Sequence, residues 1–89
     1  MQYMVIEKFM AGRVKDLYQR YAETGRMLPE GVVYIDSWIS KDLTRCYQLM
    51  EANSLEDLNL WIANWDDLAD FEVIPVISSD EARTKVLGH

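Results

Sequence analysis

The chain is poor in the residues that many enzymes and metalloproteins depend on. It contains one cysteine, one histidine, two prolines and four glycines. A single cysteine, Cys46, excludes an intrachain disulfide. The only histidine, His89, is the last residue and is badly placed to complete a catalytic triad or a structural zinc site. With no histidine inside the fold to activate it, Cys46 reads as a small buried hydrophobe and not as a nucleophile. The glycines, Gly12, Gly25, Gly31 and Gly88, are too scattered to cradle a phosphate. We expect no metal site and no cofactor.

Positive charge is also scarce. Lys and Arg number 9 against 15 Asp and Glu, for a formal net charge of -6. Nucleic-acid binding needs a basic surface that displaces counterions, and this field has the opposite sign. Nucleic acid and anionic membranes are therefore excluded as expected partners. Isolated arginines, Arg13, Arg20, Arg26 and Arg45, still leave room for a small site that takes an acidic molecule. No apolar run reaches the length that spans a bilayer. No basic-then-apolar leader precedes the first strand pattern, so a cytoplasmic location is expected.

What is present describes a globular domain. The 89 residues are 49% hydrophobic and 27% charged. Area scaling gives a folded surface on the order of 5,400 Å² against about 15,000 Å² extended, enough for one modest core. Residues 1–78 are expected to form that domain, with residues 79–89 as a C-terminal tail of weak helical character.

Hydrophobic period assigns the elements. Gln2 to Phe9 reads as a strand. Val14, Leu17, Tyr18 and Tyr21 share one face of a helix over Arg13 to Thr24, which Gly25 stops. Val32 to Ile39 and Arg45 to Glu51 read as a hairpin. Ser54 with Asp57, or Asn53 with Glu56 one residue earlier, caps a second helix, Leu55 to Leu68, striped by Leu55, Leu58, Ile62, Trp65 and Ala69. A last strand spans Phe71 to Ile77, and Pro75 demotes it to a sheet edge. Ser78 with Glu81 forms a further cap at the tail. The order βαββαβ is that of a ferredoxin-like α+β domain with a four-stranded antiparallel sheet.

Both hairpin strands carry bulky residues at both parities, so both sheet faces need cover. Pairing Ile39 with Arg45 puts Tyr34, Asp36, Trp38, Cys46, Gln48 and Met50 on one face. The Ile and Leu residues of the other face then form the platform for the helices. So short a chain covers one face with its own helices, and a homodimer through sheet faces covers the other.

The aromatic and polar face is also a candidate ligand pocket, lined by Tyr34, Asp36, Trp38 and Gln48. Asp36 is the candidate general base, since a mid-strand carboxylate beside Trp38 would be desolvated. Its plainer reading is an exposed or paired carboxylate, and Glu7 has the same ambiguity. Trp61 and Trp65 read as core. Asp66, Asp67 and Asp70 oppose the dipole at the end of the second helix. A cation, an arginine partner or plain solvation would answer that.

The strings Tyr3-Met-Val-Ile-Glu7, Tyr34-Ile-Asp-Ser-Trp38, Arg45-Cys-Tyr-Gln-Leu-Met-Glu51 and Phe71-Glu-Val-Ile-Pro-Val76 resemble a group of short bacterial proteins of unknown function. That group is similar to the dimeric α+β barrel superfamily, and the likeness covers nearly the whole chain. It implies two ferredoxin-like sheets paired in a homodimer, with a pocket between sheet and helices. Superfamily members include cofactor-independent monooxygenases, haem-degrading enzymes, isomerases and ligand sensors. The haem ligand there is a histidine, which this fold does not supply. The resulting expectation is a dimeric protein that binds a small organic molecule. Its alternatives are a cofactor-independent monooxygenase or isomerase using Asp36, and a non-catalytic dimerisation module.

Overall fold

A computed structural model describes residues 1–88, so His89 lies outside the described residues. The elements run β1 (Gln2–Phe9), α1 (Val14–Thr24), β2 (Val32–Ile39), β3 (Arg45–Ala52), α2 (Leu55–Ile62), β4 (Ala69–Val76) and α3 (Ser79–Leu87). The strands form one antiparallel sheet in the order β2-β3-β1-β4. This is the expected ferredoxin-like α+β fold. Pro75 lies on β4, which pairs only with β1, so the missing amide donor falls on an edge strand.

The caps follow the sequence. Ser54 Oγ accepts from the Asp57 amide at 3.1 Å, and Ser78 Oγ accepts from the Glu81 amide at 3.1 Å. Gly25 ends α1 at φ 66°, its amide donating to the Tyr21 carbonyl at 2.8 Å. The second helix is shorter than its stripe suggests. Beyond Ile62 the chain tightens, with Asn64 bonding back to Trp61, Trp65 to Ile62 and Leu68 to Trp65. Asp66 and Asp67 would oppose the dipole of a longer helix, and Arg20 pins this segment instead. Its guanidinium donates to Asp67 twice and to the Asn64 carbonyl, each at 2.8 Å. The stripe still points inward, since Trp61, Trp65, Leu68 and Ala69 are all buried.

The face assignment expected from the sequence is corrected. A bulge between Tyr34 and Asp36 places Ile35 and Asp36 together opposite Leu49. One extra residue flips the parity of the rest of β2. Tyr34 faces the helices with Met50, but beyond the bulge it is Ser37 and Ile39 that pair with the inward Gln48 and Cys46. Asp36 and Trp38 turn to the opposite face. The helices also cover the opposite face from the one expected: Tyr3, Val5, Glu7 and Phe9 of β1 with Cys46, Gln48, Met50 and Ala52 of β3 are buried beneath them, and the face with Ile35 and Leu49 is the open one.

Among the described residues no helix buries the other face. Val33, Ile35, Trp38 and Ile74 are exposed there, while Met4, Ile6, Tyr47 and Leu49 are half-buried. No residue of α3 is buried. The shape reflects both facts. The radius of gyration is 14.5 Å, against about 12 Å expected for a compact domain of this length. The exposed area is 6022 Å², above the value of about 5,400 Å² that area scaling gives.

Candidate functional site

Burial on the helix face is dense at one end and open at the other. Leu58, Trp61 and Leu68 share one buried core with Val5, Met50 and Ala52, and Trp61 meets Phe71 edge-on at 6.0 Å between ring centroids. Helix α1 stands off the sheet. Leu17 is its only buried residue, and Tyr18 and Tyr21 of the same stripe remain 45% and 40% exposed. The gap is a cavity of about 180 Å³, open to solvent on one side. Its floor is Glu7, Cys46 and Gln48, and its walls include Leu17, Tyr18, Tyr21, Trp61 and Trp65. Arg26, from the connection between α1 and β2, also lines it.

Glu7 is the unusual group. Strand alternation carries it inward between Val5 and Phe9, leaving it 5% exposed. The β1–β3 register sets Gln48 diagonally across from it, and Gln48 Nε2 donates to Glu7 Oε1. No buried side-chain nitrogen or oxygen among the described residues lacks a partner. The Glu7 oxygen that Gln48 leaves free is therefore not sealed from solvent, and Glu7 lines the cavity. Burial pushes the carboxyl up to about 7, against smaller lowering effects from the Gln48 hydrogen bond and the Arg26 charge. Near neutral pH it both holds and releases a proton, the condition for general acid–base work.

The neighbours respond to the same low-dielectric floor. Burial, reinforced by Glu7, pushes the Cys46 thiol up to about 12. An inert thiol agrees with the reading of Cys46 as a small buried hydrophobe. Partial burial also raises the Tyr18 hydroxyl, with Cys46 and Glu7 adding to it. On β2 the bulge brings Tyr34 and Ser37 to the same side, where their hydroxyls meet at 2.6 Å.

Arg26 is held from several directions. Its carbonyl accepts from both indole nitrogens, Trp61 at 3.0 Å and Trp65 at 3.1 Å. The next carbonyl, of Met27, accepts from Asn64 at 3.2 Å. Met27 sits at φ 56°, a left-handed conformation that costs about 1–2 kcal/mol for a residue with a side chain. The guanidinium lies 3.6 Å over the Tyr34 ring and donates from Nη1 to the Tyr21 hydroxyl at 3.0 Å. Trp61 and Trp65 are thus core residues, as expected, that also shape one wall.

The four residues expected to line a pocket are divided. Gln48 lies in the cavity floor, and Tyr34 packs beneath Arg26 beside it. Asp36 and Trp38 lie on the far face, both exposed, and Asp36 accepts from the Ser37 amide at 2.8 Å. Sequence reasoning underweighted Glu7 and did not bring Arg26, Tyr18 and Tyr21 together. The signal for Glu7 was available: it is the lone charge at an inward position of an apolar strand. No cluster of metal-ligating side chains occurs among the described residues, and no described helix is long and apolar enough to cross a membrane.

No curated protein and no solved structure matches the chain. One family does, along residues 1–89, described as a domain of unknown function. An open ferredoxin-like sheet, with a buried carboxyl at the foot of a cavity beneath one helix, is thus the architecture of this member: the chain belongs to the DUF3303 family.

Proposed function

We propose that this protein binds a small organic molecule in the cavity between α1 and the sheet. Glu7 would be the group that exchanges a proton with the ligand. One observation carries the reading: a buried carboxyl with a single side-chain hydrogen bond lines an open, aromatic-walled cavity. Burying such a group costs stability, and costs of this kind are carried at functional sites. In a catalytic form of this reading, the base role considered for Asp36 passes to Glu7. Proton transfer in an isomerase, or in a cofactor-independent monooxygenase, is the chemistry it suits. Differential scanning fluorimetry against single-ring aromatic acids, phenols and quinones tests the reading. A binder raises the melting temperature of the wild type, and substituting Glu7 or Gln48 reduces that shift. A flat response across the panel would remove the reading.

A second observation favours homodimerisation through the sheet. The open face measures on the order of 500 Å² in projection from strand spacing and rise, and it is mostly apolar. Lys8 and Arg45 lie at one end of it beside Asp70 and Glu72, so a second copy finds charges of both signs. The resemblance to dimeric α+β barrel proteins points the same way. If this pairing is the protein's whole purpose, it is a non-catalytic dimerisation module. Ligand binding in the fluorimetry panel separates that case from the first.

A further inference from the structure

We propose that Arg26 is the anion anchor of this cavity, and that its ligand is a single-ring molecule bearing one carboxylate. The proposal rests on the small-molecule reading above and adds the ligand's class.

Arg26 is fixed before any ligand arrives. Both indoles hold its carbonyl, and its guanidinium is stacked on Tyr34 and bonded to Tyr21. A guanidinium has five N–H donors in a rigid fork. One hydrogen bond, from Nη1 to Tyr21, is all that its side chain donates among the described residues. It also lacks an acidic partner there, in a chain with a formal net charge of -6. Arg13, Arg20 and Arg83 each pair with a neighbouring aspartate. Glu7 shares the cavity with Arg26 but bonds to Gln48 instead. Arg26 and Glu7 thus line one cavity without forming an ion pair, which leaves the guanidinium's remaining donors for a ligand.

Size and charge narrow the class. A cavity of about 180 Å³ compares with roughly 150 Å³ for one known to hold benzene. Tyrosine and tryptophan walls suit a flat ring. The free donors of Arg26 match a carboxylate, which a guanidinium takes with two parallel bonds. A doubly charged group would meet the Glu7 carboxyl at the floor, so a single negative charge fits best. The remote edge of the ring then faces Glu7.

The test is calorimetric titration of the full chain with benzoate and with benzamide, its uncharged counterpart of the same shape. Wild type should bind benzoate at least about tenfold more tightly, as expected for a charge-assisted pair. Arg26→Gln should bring the ratio close to one, and Arg26→Lys should restore part of it. The main-chain carbonyl that holds the indoles survives both substitutions, and near-ultraviolet circular dichroism verifies this. The wild-type ratio needs no variant at all. Equal binding of the two probes by wild type, or an undiminished ratio in Arg26→Gln, overturns the anchor while leaving the cavity a binding site. If neither probe binds and the fluorimetry panel is also flat, both readings fail together.

Discussion

A tryptophan and a strand carboxylate taken from each side of this sheet end in opposite surroundings. On the helix side Trp61 is 2% exposed and Glu7 5%. On the open side Trp38 is 55% exposed and Asp36 is exposed. Residue type does not separate them. Glu7 is buried because three apolar neighbours of the same parity carry it under the helices. Asp36 is exposed because one extra residue, Ile35, reverses the parity of β2. Position relative to the helices decides which carboxyl becomes chemically unusual.

The sharpest way to probe that contrast is through the tryptophans. Trp61→Ala should cost about 3–5 kcal/mol in urea unfolding, since it empties the densest part of the core. Trp38→Ala should leave the isolated protomer within about 0.5 kcal/mol of wild type. Under the dimer reading, however, Trp38→Ala should shift sedimentation toward the monomer at micromolar concentration. Sedimentation of wild type as a monomer would remove the dimer reading.

The carboxyls give the next effect. Native Glu7 retains its proton up to about 7, whereas the unfolded chain loses it near 4.5. Between those values the native state binds more protons, so stability from this group is full below 4.5 and falls as pH rises through 7. The loss above pH 7 amounts to about 3 kcal/mol at most. Glu7→Gln should therefore stabilise the protein at pH 8 and change little at pH 4, as read by thermal melts at both. Asp36→Asn should alter stability by less than about 0.5 kcal/mol at neutral pH, as an exposed substitution.

A smaller effect concerns the connection that carries Arg26. Gly31 has φ 88°, and an added Cβ would lie 2.9 Å from Asn53 Nδ2 and 3.1 Å from Asp57 Oδ2. Gly31→Ala should cost about 1–3 kcal/mol in urea unfolding, from backbone strain plus displacement of those side chains. A neutral outcome would mean that the connection moves freely, and that Arg26 is less fixed than described.

Much of the fold was legible because its signals are local. Period separated strands from helices, Ser54 and Gly25 marked helix ends, and Pro75 identified an edge strand. The bulge was not legible. It uses Ile35, with no glycine or proline to announce it, and its effect is to reassign every later side chain of β2. That is why Tyr34 and Gln48 stayed with the cavity while Asp36 and Trp38 left it. The cavity itself depends on α1 standing away from the sheet, a tertiary fact that the helix's own tyrosine stripe disguises. Asp67 shows the same limit: its partner, Arg20, lies on α1, far away in sequence.

The most direct measurement is a carbon-13 NMR titration of the Glu7 side-chain carboxyl in the full chain. A midpoint close to 7 is the predicted result. A midpoint in the ordinary carboxylate range, near 4.5, would show a well-solvated group and contradict the account of this cavity.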